Sequence, residues 1–342
     1  MNTINTTTLN EYHACHLCPR HCGINRNDAK TGFCRQTSTI RAARAALHFW
    51  EEPCISGTSG SGAVFFSGCT LRCVFCQNEG IAKGDIGKEL SKERLAEIFL
   101  ELQEKGANNI NLVTGGHFQP SIAEALEDAK ANGLMIPIVY NTSSYESLDT
   151  IRSLDGLVDI YLPDLKYFDS TLSMRYSHAA DYFQIASKNI EEMVRQTGEP
   201  LFRIKPKHSM QESYEMWESE AALPISATEY NEICDMDEEA EILMQRGTIV
   251  RHLLLPGCTE DSKRVIGYLL DTFGDEIYIS IMNQFTPLKN VEDYPELNRK
   301  VTEKEYDEVI QFAINHGIEN AFIQEGDVAE ESFIPSFDYE GL

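Results

Sequence analysis

Short β-rich runs alternate with amphipathic helical stretches along most of this chain, and that alternation narrows the folds open to it more than any other feature. Strand-like runs fall at Ala63–Ser67, Ile110–Val113, Ile136–Tyr140, Asp159–Leu165, Thr248–Leu255 and Ile277–Met282, with Ala321–Gln324 as a further one. Helical spacing separates them. Ser91 can cap a stretch with Leu95, Ile98, Phe99 and Leu102 on one face, and Gly106 stands at its end. Ile122, Ala125, Leu126 and Ala129 mark the next helix, a short one is expected over Tyr145–Leu154, and a long one over Thr171–Arg195 with an ambiguity at His178–Asp181. Val265, Ile266, Leu269 and Leu270 follow, and Thr302 with Glu305 forms a capping-box pattern at the last helix. Strand, crossover helix, strand implies parallel pairing. About six such units, against the eight of a closed barrel, predict an α/β fold: a partial (β/α)6 TIM-like barrel, with a doubly wound sheet as the other solution. In both, reactive groups sit at the C-terminal ends of the strands.

The length of 342 residues fits one barrel-sized domain with attachments. The boundaries expected are a Cys-rich metal-binding segment over 1–56, the barrel over 57–324 and a tail over 325–342. An acidic insertion interrupts the barrel at about 205–246. Between residues 211 and 241 there are eleven acids and no Lys or Arg, which reads as a solvated insertion or as a lid for a cationic or protein substrate. The net charge of −25 argues against nucleic-acid binding. Nothing approaches the eighteen or so apolar residues of a membrane span, and the polar stretch Met1–Asn10 lacks the features of a signal peptide. A cytoplasmic protein without membrane association is expected.

Seven of the ten cysteines lie in two tight groups, which in a reducing compartment points to metal rather than to disulfides. Cys69, Cys73 and Cys76 form a C-x3-C-x2-C loop where the first strand ends. Three thiolates on one loop can hold three irons of a [4Fe–4S] cubane and leave the fourth open to an outside ligand. The amino and carboxylate groups of S-adenosylmethionine can chelate that iron. An electron passed into the sulfonium then breaks a C–S bond and yields methionine and a 5′-deoxyadenosyl radical. The competing assignment, a structural zinc, lacks a convincing fourth ligand nearby.

The spacing resembles the signature of the radical S-adenosylmethionine (radical SAM) superfamily. Gly60-Ser-Gly-Ala-Val-Phe-Phe-Ser-Gly-Cys69 and Cys76-Gln-Asn78 look like the cluster-flanking region of pyruvate formate-lyase-activating enzymes. Cys18-Pro-Arg, Asp159-Ile-Tyr-Leu-Pro-Asp164-Leu-Lys166 and Tyr294-Pro-Glu-Leu-Asn298 are similar to an uncharacterised branch related to them. The resemblance implies that Phe75 packs against adenine, and that Gly115 and Gly116 bring backbone close to the methionine amino group. His117 stands where relatives carry Glu. Asn141, Thr142 and Ser143 offer polar groups suited to ribose or carboxylate. Asp164 and Lys166 match an Asp-x-Lys pattern lining the cofactor site, and alternate strand residues share a face. Arg251, His252, Asn283 and Gln284 lie in or after later strands as weaker candidates. An electron donor such as flavodoxin or ferredoxin is implied, and a protein or peptide is one class of substrate. A non-catalytic iron–sulfur or zinc protein, for electron transfer or regulation, is the rival reading.

Cys15, Cys18, Cys22 and Cys34 supply four further thiolates, interleaved with His13, His16 and His21. Four ligands suit a closed tetrahedral zinc or a fully ligated second iron–sulfur cluster, and thiolates serve both. Of the lone cysteines, Cys258 follows Pro256-Gly257 on the reactive face and reads better as a small buried filler. Cys54 and Cys234 have no positional argument.

Overall fold

The computed structural model describes residues 11–205, 224–236, 241–324 and 335–342. Its centre is a sheet whose parallel part comprises β2 (Ser61–Phe66), β4 (Ile110–Val113), β5 (Ile138–Thr142), β6 (Ile160–Pro163), β9 (Ile242–Leu253), β10 (Tyr278–Met282) and β11 (Ala321–Ile323). They are neighbours in that order, for example Val64↔Leu112, Leu112↔Tyr140, Tyr140↔Tyr161 and Ile281↔His252. At one side β1 (Ile40–His48) pairs antiparallel with β2, and β3 (Lys88–Leu90) with β1. Among the described residues no pairing joins β11 back to β3, so the sheet curves without closing. This is the partial barrel expected, with the seventh parallel strand at Ala321–Ile323.

Burial explains why these segments are strands. Every residue of β2, β4, β6 and β10 is buried, as parallel strands covered on both faces must be. The outer cover comes from helices such as Lys92–Glu104 and Gln119–Ala131. Their stripes Leu95, Ile98, Phe99, Leu102 and Ile122, Ala125, Leu126, Ala129 share one core with Val64, Leu112 and Ile138. No described helix is long and apolar enough to cross a membrane.

Three local expectations are revised. The Thr171–Arg195 helix is two helices, Ser170–Ser177 and Tyr182–Thr197, because His178 adopts a left-handed conformation (φ 53°) and ends the first. The fifth strand begins at Ile242 rather than Thr248. Its first half pairs antiparallel with β7 (Leu201–Ile204), and Gly247, at φ 140°, marks the passage to parallel pairing with β6. β1 was not anticipated: Ile-Arg-Ala-Ala-Arg-Ala-Ala-Leu-His has four alanines, the best helix formers, and pairing with β2 overrides that preference. Of the acidic insertion, β8 (Ile225–Ser226) and the helix Ala227–Met236 are described; 206–223 and 237–240 lie outside the described residues. The end of the tail docks on β1. Tyr339 N–H donates to Ala43 O, Glu340 O accepts from Ala45 N–H, and Arg44 pairs with Asp338 and Glu340.

Candidate functional site

β2 delivers its chain end to a tight turn. Gly68 sits at φ 86°, and a Cβ there would lie 2.5 Å from the carbonyl oxygen of Cys34, so only glycine fits. Cys69, Cys73 and Cys76 follow on a loop held from several sides. Val74 N–H donates to Tyr176 O, Asn290 Nδ2 donates to Cys76 O at 3.0 Å, and Gln77 Nε2 donates to Gln284 O at 2.7 Å. The backbone N–H groups of Leu71 and Arg72 point at Cys69 Sγ, at 3.4 and 3.3 Å. All three cysteines line one cavity at the C-terminal ends of the strands.

Burial raises the pKa of each of these thiols. Alone they would stay protonated; as thiolates they need a cationic partner, which a metal cluster supplies. Three cysteines on one loop beside an open cavity suit a cluster held at three corners, with the fourth left for an outside ligand.

Around the same cavity the structure gathers Phe75, Asn141, Thr142, Ser143, Asp164 and Lys166. Burial alone would lower the Lys166 ammonium, but Asp164, 2.6 Å from it, and the neighbouring thiols push it up to about 12. The Phe75 ring packs at 6.3 Å from Tyr167 and 6.2 Å from Phe285. Tyr182 fixes the wall from behind: its hydroxyl contacts Ser143 O and Asp164 O and accepts from Lys166 N–H. Gly115 and Gly116 are not brought to the lining. Thr114, at φ 59°, reaches the cavity, while both glycines pack behind it. A Cβ on Gly115 would meet Ile122 at 2.7 Å, and one on Gly116 would meet the Glu146 carboxylate at 2.6 Å. His117 is turned away too. Its Nε2 lies 2.7 Å from Ser67 O, and burial together with Arg26 lowers it to about 3, so the ring is neutral.

Sequence reasoning missed the segment after β1. His48, Trp50 and Glu51 line the cavity, and Arg251 reaches them across the barrel. Its guanidinium pairs with both Glu51 and Glu52, and Asn111 Nδ2 donates to Glu51 at 2.8 Å. Burial would raise Glu52, yet Arg251 holds it below the usual carboxylate range. The only signal was the need of a strand-borne Arg251 for acids, and no spacing rule points 200 residues upstream. Gln284 lines the cavity, and Asn283 is held from the backbone by Gln324. His252 is buried; its Nδ1 lies 2.8 Å from Leu165 O, and burial lowers it to about 4. Pro335, from the tail, also lines the cavity.

The N-terminal cysteines form a compact knot against this loop. Cys15 N–H donates to Ile24 O and Gly23 N–H to Cys15 O, zipping the segment so that Cys22 returns towards Cys15. Phe33 N–H points at Cys22 Sγ at 3.4 Å, which brings in Cys34. Burial pushes the Cys18 thiol up to about 12, with Cys34, Cys15 and Cys22 adding to the shift. All ten cysteines are free thiols. Cys258 precedes the helix Thr259–Phe273 half-buried, pushed up to about 11 by burial, and Cys54 lies in the core beneath β9.

The model of the radical SAM superfamily matches residues 63–200. An uncharacterized protein of Methanocaldococcus jannaschii is 24% identical over 321 residues, which is 91% of this chain and 77% of that one. Streptococcus suis SuiB bound to S-adenosylmethionine superposes with a TM-score of 0.42 at 10% identity, covering 76% of this chain and 49% of SuiB. HydG, a maturase of the [FeFe]-hydrogenase, gives 0.44 at 12%, covering 80% and 54%. A domain of pyruvate-formate lyase-activating enzyme from Bacteroides vulgatus gives 0.34 at 14%, covering 60% and 91%. The chain thus spans about half the length of SuiB and of HydG.

Proposed function

We propose, from the premise that residues 63–200 form a radical SAM superfamily domain, that this protein is an enzyme that cleaves S-adenosylmethionine reductively and abstracts hydrogen from a protein or peptide. The observation that carries the chemistry is one cavity walled by three free thiols of a single loop together with Asn141, Thr142, Ser143, Asp164 and Lys166. Cys69, Cys73 and Cys76 would hold the cluster, which when bound supplies the electron that breaks the C–S bond and sets free the 5′-deoxyadenosyl radical. The polypeptide substrate rests on the resemblance of Gly60–Cys69 and Cys76–Asn78 to the activating enzymes.

The chain's own side chains prepare the cavity for a zwitterionic, aromatic ligand. Lys166 is charged and can face a carboxylate, and Asp164 is the matching acceptor for an ammonium. Phe75 offers an apolar ring beside the cysteines. Asn141, Thr142 and Ser143 bring amide and hydroxyl groups from one strand end. Leu71, Val113, Leu253 and Met282 keep part of the wall apolar and limit water around a reactive intermediate.

The test is anaerobic reconstitution with iron and sulfide, reduction by dithionite and mass-spectrometric assay of 5′-deoxyadenosine. Wild-type protein with a filled cluster should release it, and Cys73→Ala should abolish release completely. A filled, reduced wild-type cluster that releases none would sink the proposal.

A further inference from the structure

The N-terminal knot carries a buried charge that no described carboxylate balances. Arg26 is 1% exposed, and its guanidinium donates to the carbonyls of Gln36, Thr37 and His117; its remaining polar partner is Cys15 Sγ, 3.7 Å away. Among the described residues no carboxylate pairs with it. Tyr12 and Phe118 cover its faces at 4.7 and 5.6 Å. A buried cation without a counter-ion is costly, so an anionic centre is called for beside Cys15. Four thiolates on a metal provide one.

The fold brings the four cysteines together. The backbone pairs from Cys15 N–H to Ile24 O and from Gly23 N–H to Cys15 O, with Phe33 N–H on Cys22 Sγ, fold the Cys15–Cys22 turn onto the segment that carries Cys34. Four thiolates serve a zinc or a cluster alike. The placement of the knot favours the redox-active one.

The knot also touches the central loop on both sides of Cys69. Before it, Cys34 O packs onto Gly68. After it, Arg20, between Cys18 and Cys22, donates to Thr70 O at 3.0 Å and Leu71 O at 3.4 Å. The Arg20 and Arg72 guanidiniums share the ring of Phe33, the residue before Cys34, at 4.0 and 5.1 Å. Three arginines therefore stand around or between the two cysteine groups, where added negative charge is favoured.

We infer that Cys15, Cys18, Cys22 and Cys34 hold a fully ligated iron–sulfur cluster that relays electrons to the cluster site at Cys69, Cys73 and Cys76. One electron leaves a reduced flavodoxin- or ferredoxin-class donor, resides on the N-terminal site and passes across the Cys34–Gly68 contact. It ends in the C–S bond of S-adenosylmethionine, so the donor loses one electron for each bond broken. This inference rests on the proposed cleavage only for the electron's destination; the metal assignment stands apart from it.

Two measurements test it, and the first needs no turnover. The full chain carrying Cys69→Ala, Cys73→Ala and Cys76→Ala together, purified anaerobically, should retain about four irons and four sulfides. Dithionite should give it a paramagnetic resonance signal of a reduced cluster. Stoichiometric zinc, or no metal in a chain whose circular dichroism matches wild type, overturns the assignment. The second measurement compares reductants on Cys18→Ala, with central iron confirmed by analysis. Release of 5′-deoxyadenosine driven by reduced flavodoxin should fall at least about tenfold relative to release driven by dithionite, which reaches the central site directly. Equal loss with both reductants, or loss with neither, refutes the relay. If wild type releases none with either reductant, the cleavage proposal fails while the metal content of the triple variant still decides the assignment.

Discussion

The two cysteine groups differ in what surrounds them. Cys69, Cys73 and Cys76 stand at a strand's end and open on a cavity lined by an ammonium, a carboxylate, hydroxyls and an aromatic ring. Cys15, Cys18, Cys22 and Cys34 stand in a knot with little regular structure, folded onto itself by its own backbone and packed on the back of the first group's loop. Three thiols beside a cavity leave room for an exogenous molecule; four thiols in a closed loop leave none. On the proposals above one site serves chemistry and the other electron supply, and the contrast lies in thiol number and access, since the thiols themselves are alike.

The largest effect that would break this contrast is at Arg26. Arg26→Met keeps the packing against Tyr12 and Phe118 but removes the cation and leaves three buried carbonyls without their donor. Losing one side of a buried charge pair costs about 3–5 kcal/mol. Denaturant unfolding should show that loss, and metal analysis should show depletion at the N-terminal site first. Unchanged stability and metal content would mean that the knot does not carry an anionic centre.

A smaller effect comes from Glu146, which lies between the two sites. Its carboxylate accepts from Thr142 of the cavity wall, and the next residues, Ser147 and Thr150, both donate to the carbonyl of Leu17 in the knot. Burial pushes Glu146 up to about 7, the Thr142 hydroxyl opposing. The folded state thus holds the proton to a higher pH than the unfolded state. Stability contributed at low pH is lost as pH rises from the unfolded value of about 4.5 through 7, about 3 kcal/mol in all. Glu146→Gln keeps an acceptor for Thr142 and removes this dependence. The variant should be the more stable of the two at pH 8, with the difference shrinking as pH falls towards 5. A difference that stays constant with pH would show that Glu146 is already ionised in the fold.

The same contrast explains what could be read in the sequence. The parallel strands were legible because each is a short apolar run bounded by turns and helices, and the triplet was legible because its ligands are neighbours in the chain. Asp164 and Lys166 were visible through the resemblance of their Asp-x-Lys pattern to that of the activating enzymes; both lie just beyond the strand Ile160–Pro163 and line the cavity. Gly115 and Gly116 are harder to read, because a glycine close to a ligand and a glycine close to Ile122 or Glu146 look alike in one dimension. Arg251 with Glu51 and Glu52 was illegible for the opposite reason: the pair is long-range, and its logic is the burial of Arg251, which only the folded barrel creates. The contact of Cys34 with Gly68 has no signature at all, since any glycine before a cysteine would be taken for a turn.

The smallest effect falls on the link between the two regions. Arg20 donates to Thr70 O, Leu71 O, Ser177 O and His178 O, the last two at the end of the helix Ser170–Ser177. It therefore ties the knot, the central loop and one barrel helix at a single point. The side chain is only part-buried, so water can reach some of these carbonyls when it is removed, and Arg20→Ala should cost about 1–2 kcal/mol. Arg35→Ala is the matched control: Arg35 meets Asp85 at 3.9 Å with both groups largely exposed, and its loss should stay within about 0.5 kcal/mol. If the knot only staples the fold, Arg20→Ala lowers stability and leaves donor-driven and dithionite-driven release in the wild-type ratio. If the knot feeds electrons across the Cys34–Gly68 contact, the ratio shifts towards dithionite although both sites keep their metal, because loosening Arg20 widens the gap the electron must cross. Unfolding curves and the two-reductant assay on the same preparation separate these outcomes.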